Sequence, residues 1–209
     1  MNLLINAPKK AKSTILFSHG AGAPMDSDWM TLVSALFVKS NIKVIRHNFN
    51  YMEKRAKEER KFPPDRMPKL LNKVEETLNY CITKGHIQGS LFLAGKSMGA
   101  RVSTNFETNK ALGVICFGFP FCPPGKQDSS RIEALNNSGH KSIFINQGER
   151  DPFGGREWAK EQVFRDGITL NFLSDGDHDL KPRVKSGLTI KENLTESIKD
   201  TVRFINSLT

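Results

Sequence analysis

Cysteine is scarce in this chain and poorly placed for a structural role. Only Cys81, Cys116 and Cys122 occur in 209 residues, an odd number with no Cys-x-x-Cys pair. Neither a disulfide framework nor a zinc site is indicated, and the pattern suits a reducing cytosol, so a cytoplasmic location is expected. Long apolar runs are missing as well. The longest uncharged one, Ala111 to Cys122, is too short to span a bilayer and runs into prolines. Leu3-Leu4-Ile5 at the start is too short for the core of a secretory signal. No membrane association is expected. No repeat, linker or low-complexity tract breaks the chain, so residues 1–209 are expected to form one domain with a full buried core.

Acidic residues are in the minority, 22 against 31 lysines and arginines, for a formal net charge of +9. Such a field attracts polyanions. The bases are scattered, however. The densest block, 53–69, sets seven of them against four acids, with only Tyr51 and Phe62 nearby to stack on bases. No nucleic-acid-binding module surrounds it. Segment 50–68 therefore reads as a charged surface insertion or flap, and nucleic acid is not an expected partner.

What the chain does have is alternation. Short β-rich runs (13–18, 42–46, 91–94, 112–117, 142–146 and 169–173) are separated by helical patterns at 28–39, 67–82, 98–108, 129–137, 156–164 and 192–208. Leu70, Leu71, Val74, Leu78 and Ile82 repeat at helical spacing, and Gly85 closes that helix. Strands of about five residues alternating with longer helices predict an α/β fold, with helices on both faces of a mostly parallel sheet of six or seven strands. Ligands of such sheets bind beyond the carboxyl ends of the strands.

At one of those ends stands Gly95-Lys96-Ser97-Met98-Gly99, between the apolar run Leu91–Ala94 and a helical segment. Gly-x-Ser-x-Gly at a strand-to-helix junction is the nucleophile elbow, and Gly95 and Gly99 provide clearance around its tight turn. Asp151 follows the strand at 142–146, and His178 follows the strand at 169–173. A parallel sheet brings all three to one edge, in the order Ser…Asp…His of the α/β-hydrolases. The chemistry assigns the roles: His178 takes the serine proton, and Asp151 fixes the imidazole tautomer. The oxyanion of the tetrahedral intermediate needs backbone donors. One is the N–H of Met98; the second is expected from the loop His19-Gly20-Ala21-Gly22, at Ala21 with Gly22 as the alternative. His19 itself reads as a loop-shaping residue.

Singly, each residue has a plainer reading: a turn serine, a turn aspartate before Pro152, a surface histidine. Their joint placement on strand ends is what points to catalysis. Glu149, Asp175, Asp177 and Asp179 neighbour the acid and the histidine, but Asp151 lies on the preceding strand's loop as the order requires, and the extra aspartates near His178 read as turn caps. Two competing motifs fail. Gly20-Ala21-Gly22 continues to Met25 where a dinucleotide fingerprint needs glycine, and position 90, where a P-loop needs glycine, is serine.

With these residues in view, the chain resembles the α/β-hydrolases over nearly its whole length. Leu93–Arg101, Gly118–Lys126, Gln147–Gly154 and Asp175–His178 are similar to strings in a short intracellular hydrolase-like family. That family includes a vertebrate testis-expressed protein and, more distantly, a subunit of the NSL chromatin complex. Ala100 and Cys122 stand where glycine and histidine are common in it; neither change removes a catalytic group. The resemblance implies the hydrolase fold and a working triad. Because the complex subunit is regarded as a scaffold, it also implies an alternative role as an interaction protein with little or no activity. The stretch from Phe117 to Ser129 is too short for a helical lid, so an open site is expected. The expected activity is cofactor-independent, metal-free cleavage of a small ester, thioester or related acyl compound. Phe119, Phe121, Phe153 and Trp158 are candidates for an acyl pocket, although aromatic side chains near strand ends belong to the core more often.

Overall fold

The computed structural model describes residues 1–123, 130–140 and 142–209. The expected helix start at Ser129, the Pro124–Lys126 part of the family-like string, and the second half of the stretch read as too short for a lid (124–129) lie outside these residues. Strands β1 (Leu3–Asn6), β2 (Ser13–Ser18), β3 (Ile42–His47), β4 (Ser90–Lys96), β5 (Gly113–Phe117), β6 (Ile143–Gly148) and β7 (Ile168–Leu173) make one sheet. Its spatial order is β1-β3-β2-β4-β5-β6-β7. All neighbours pair in parallel except β1, which runs antiparallel to β3 at the edge. The helices are α1 (Asp28–Lys39), α2 (Asn50–Glu58), α3 (Met67–Thr83), α4 (Met98–Asn105), α5 (Ser130–Asn136), α6 (Arg156–Ala159) and α7 (Ile190–Leu208).

The two-residue period of the strands divides the core between the two faces of the sheet. Ile15, Phe17, Phe92, Ala94, Ile115 and Phe117 point to one face, against Met30, Val33 and Phe37 of α1 and Leu194, Ile198 and Ile205 of α7. Leu16, Leu91, Leu93, Val114, Cys116, Ile143 and Ile145 point to the other, against Leu70, Val74 and Leu78 of α3, Val102 of α4 and Leu135 of α5. Each fully buried side chain of this size contributes about 1.5–3 kcal/mol. A slip of one residue would send every one of them to the wrong helix layer, so the register is strongly specified.

Chain direction across the sheet reverses at β2 and again at β3. From β2 the chain moves outward to β3, then returns to lay β4 on the other side of β2, pairing Ser18 with Gly95. That reversal opens a crevice beyond the carboxyl ends of β2 and β4. The loops after those two strands, His19–Gly22 and Ser97, therefore share it.

The helix ends follow local chemistry. In α3 the Gly85 N–H caps the carbonyl of Ile82 at 3.0 Å, with Gly85 at φ +66°. Helix α7 starts at Ile190, two residues earlier than expected, because Thr189 and Glu192 form a capping box. Helix α4 stops at Asn105, short of Thr108, and α6 spans only Arg156–Ala159. The charged segment after β3 begins with a helix, α2, whose Tyr51 and Met52 are buried in the core. No helix among the described residues is long and apolar enough to cross a membrane.

Candidate active site

Ser97 caps α4 directly after β4, at φ +52° and ψ −111°. Such a backbone is strained for a residue with a side chain. The turn closes because neither flank carries a β-carbon: one at Gly95 would sit 2.1 Å from the Gly99 carbonyl carbon, and one at Gly99 would sit 2.3 Å from the Ser18 oxygen. The Ser97 N–H is tied to the Phe117 carbonyl at 3.0 Å. Ser97 thus stands at the N-terminus of α4, with Met98 the first residue of the helix.

The three residues expected at the strand ends meet. His178 Nε2 lies 2.8 Å from Ser97 Oγ, and His178 Nδ1 lies 2.8 Å from Asp151 Oδ2. A carboxylate accepts only, so Nδ1 carries the proton and Nε2 of the neutral ring presents a lone pair to the serine O–H. The Asp151 side chain is fully buried, and that of His178 is 20% exposed, open to the crevice. Asp151 is held by donors on both oxygens: Phe153 N–H to Oδ1 at 2.8 Å and Gln147 Nε2 to Oδ2 at 2.8 Å. Gln147 in turn donates to the carbonyls of Phe119 and Gly154 and accepts from the Phe119 N–H.

Loop 19–22 lies against the elbow. A β-carbon built on Gly20 would come within 3.7 Å of Ser97 Cβ, and Gly22 has open space around it. His19 is fully buried. Its Nε2 accepts the Phe49 N–H at 3.1 Å, so Nδ1–H donates to the Gly20 carbonyl at 2.6 Å. Burial holds its pKa down at about 4, which keeps the ring neutral. It shapes the loop, as expected, and is no second base.

Several residues of this site carry no signal in the sequence. Lys96, the variable position of the elbow, buries its chain and donates from Nζ to the His178 carbonyl at 2.8 Å, pairing also with Asp179 at 3.0 Å. Burial lowers its pKa and Asp179 opposes that shift. Trp29 of α1 donates from its indole to the Asp179 carbonyl at 3.0 Å. Trp29, Met30 and Phe153 give a cavity of about 380 Å³ its apolar walls, with Ser97, Lys96, His178 and loop 20–23 completing it. Of the four expected aromatic candidates only Phe153 lines this cavity, its ring 4.5 Å from the His178 ring. Phe119 and Phe121 are buried in the core, and Trp158 packs on Phe121. No large lid covers the site among the described residues.

A larger hollow, about 770 Å³, lies near Glu107, Leu112 and His140. It holds no comparable chemistry, since His140 Nε2 is engaged by the Phe106 carbonyl at 2.8 Å. No cluster of metal-ligating side chains occurs among the described residues.

Fold and site together define an α/β-hydrolase. The model of an alpha/beta hydrolase domain family matches residues 11–206, and the chain belongs to that family. No curated protein sequence matches it significantly. Among solved structures it is similar to dienelactone hydrolase from Anabaena variabilis, at 13% identity and TM-score 0.71, over 95% of this chain and 90% of that one. It is similar to Est1E from Butyrivibrio proteoclasticus with ferulic acid bound, at 13% identity and TM-score 0.67, over 97% and 95% of the two chains. A serine hydrolase without a lid from Xanthomonas campestris matches at 16% identity and TM-score 0.65, over 95% of this chain and 88% of that one. At these identities the likeness is one of fold.

Proposed function

We propose that this protein is a cofactor-independent serine hydrolase that cleaves a small ester, thioester or related acyl compound through an acyl-serine intermediate. The observation that carries the reading is the unbroken chain Ser97 Oγ–His178–Asp151, with both links at 2.8 Å. In the first half-reaction Oγ bonds to the acyl carbon while its proton passes to His178 Nε2. The carbonyl electron pair moves to oxygen, where the N–H groups of Met98 and Ala21, or Gly22 in its place, receive it. Each such donor contributes about 3–4 kcal/mol to the barrier reduction. Collapse breaks the bond to the leaving oxygen or sulfur, which takes the proton from Nε2. Water then loses a proton to Nε2 and attacks the acyl carbon, and the acid leaves as that proton returns to Oγ.

An open cavity of about 380 Å³ supports a small soluble acyl group, and its aromatic walls supply apolar contact. The hydrolases among the structural neighbours favour the same reaction class. The reading takes residues 1–209 as one domain acting in the cytoplasm, where buried thiols such as Cys81 and Cys116 stay reduced. The narrower likeness to the short intracellular hydrolase-like family agrees with that location.

A fluorophosphonate probe tests it. Labelling of the wild type at Ser97 is expected, with none in Ser97→Ala and a fall of about 10³-fold or more in rate for His178→Ala. A folded wild type that takes no label would replace this reading with that of a hydrolase-fold interaction protein.

A further inference from the structure

Helix α2 and the turn after it, the most charged part of the chain, touch the oxyanion loop with two side chains. The Tyr51 hydroxyl lies 3.1 Å from the Ala21 carbonyl oxygen and 3.3 Å from that of Gly20, so its hydrogen points between them. Arg55 donates from Nη1 to the Ala21 carbonyl at 3.2 Å. The rest of its guanidinium is fixed by the Phe62 carbonyl, 2.8 Å from Nε and also bonded by Nη2. The guanidinium further stacks on the Tyr51 ring, 4.9 Å from its centroid. Tyr51 is itself fixed, buried, with its N–H on Asp65 at 3.1 Å.

A trans peptide points its N–H opposite to its carbonyl, and no peptide among the described residues is cis. The Gly20 carbonyl belongs to the same peptide as the Ala21 N–H, and the Ala21 carbonyl to the same peptide as the Gly22 N–H. The Gly20 oxygen also takes the His19 Nδ1–H at 2.6 Å. Holding both oxygens on the Tyr51 and Arg55 side turns both N–H groups away from these two side chains, and Gly20, Ala21, Gly22 and Ser97 all line the cavity. We infer that Tyr51 and Arg55 are positioning residues for the oxyanion hole, holding the two peptide planes before substrate arrives. Segment 50–68 is then a brace for the site. A hydrogen bond to a carbonyl also polarises its own N–H, and a guanidinium does so more than a neutral donor. The burial that raises the Tyr51 pKa to about 12 keeps its hydroxyl a donor at every working pH.

This inference rests on the serine-hydrolase reading, and its test separates the two. Tyr51→Phe keeps the ring and deletes the hydroxyl; Arg55→Met keeps the length and deletes the donor. With p-nitrophenyl acetate, each is expected to lower kcat by about tenfold or more, below the ~10²–10³-fold of losing a donor outright. KM should stay within about twofold and the pH profile of kcat/KM unmoved, because His178 is untouched. Arg55→Lys should restore part of the loss. The double variant should lose less than the product of the single losses, since both side chains hold one peptide. A kcat within about twofold of wild type in both single variants, or a rise in KM alone, overturns the assignment. If the wild type neither hydrolyses the ester nor takes the probe, the hydrolase reading fails instead. Amide exchange across 20–23 then decides: faster exchange in Tyr51→Phe and Arg55→Met upholds the brace, and unchanged exchange removes it.

Discussion

Exchanging the Asp151 carboxylate for an amide replaces one oxygen with an NH2, and the surrounding donors dictate how that amide must lie. The carboxylate meets three donors: the Phe153 N–H on one oxygen, Gln147 Nε2 and His178 Nδ1 on the other. If the amide oxygen takes the Oδ2 position, its NH2 faces the Phe153 N–H, and a main-chain donor is left unpaired at a cost of about 1–3 kcal/mol. If the amide oxygen takes the Oδ1 position, Phe153 stays paired. Gln147 loses little, because its amide hydrogens have the Phe119 and Gly154 carbonyls. His178 then meets an NH2 and must accept at Nδ1, which moves its proton to Nε2, toward Ser97. A protonated Nε2 cannot take the serine proton. The expected loss in kcat for Asp151→Asn is ~10⁴-fold, or about 5 kcal/mol on the barrier. The melting temperature should change by only a few degrees, since the shapes match. Burst kinetics with p-nitrophenyl acetate measure the first quantity, and ¹⁵N shifts of labelled histidine report the tautomer directly. Asp151→Ala removes the carboxylate without imposing the wrong tautomer, so the asparagine variant should be at least as inactive. An asparagine variant that keeps more than about a tenth of kcat, or is clearly the better enzyme of the two, would refute the argument.

Two further outcomes follow from the same contacts. Lys96→Met removes the donor that ties the His178 carbonyl to the residue beside Ser97; kcat should fall by about 10²-fold if the loop moves by ~1 Å, with Ser97 still labelled slowly, and an unchanged kcat would show that the tie is idle. Acid should destabilise the fold from about pH 6.5 downward. Burial holds His19 at a pKa of about 4 and His47 at about 3, so the unfolded chain binds more protons between these values and 6.5. Their contribution is complete above pH 6.5 and is lost as pH falls, on the order of 2–3 kcal/mol per ring by pH 4.5. Urea unfolding at pH 7.5, 6 and 4.5 checks this, and equal stabilities at all three would contradict it.

The legible parts of the sequence are those where one physical requirement leaves few residue choices. Gly95 and Gly99 flank Ser97 because no β-carbon fits there, and the central strands show because both of their faces are buried. The edge strand β1 escapes such a reading: Leu3–Asn6 is four residues long and only half-buried, and its apolar run stops after three residues. Helix α2 is hidden by its charge, since only Tyr51 and Met52 of its nine residues turn fully inward. Ile82 fits the helical spacing of α3, yet in the final turn it is 42% exposed. Trp29, which walls the cavity, reads in the sequence as one more apolar residue of an amphipathic helix. Its indole bond to Asp179 spans 150 residues and has no local signature.

The dependence of the site on such unmarked contacts is clearest between Asp151 and His178, which stand on different strands. The turn after β6 and the turn after β7 are tied by the Asp175 N–H on Glu149 at 2.8 Å and the Arg150 N–H on the Gly176 carbonyl at 2.9 Å. Asp175 is locked by Arg183 and Arg150: the hydrogen bonds from Arg183, with the charges of both arginines adding to them, hold its carboxyl far below the usual range. Asp177 caps its own turn through the N–H groups of Asp179 and Lys181. A β-carbon on Gly148 would come within 2.1 Å of the Asp177 carbonyl oxygen, so only glycine lets the two turns close to this distance. Glu149, Asp175 and Asp177 thus act on geometry, each through a backbone bond, whereas Asp179 pairs with Lys96. A 2.8 Å link between an aspartate and an imidazole 27 residues apart is the sum of those bonds, and none of them is written in the pattern that first marks the residues as a pair.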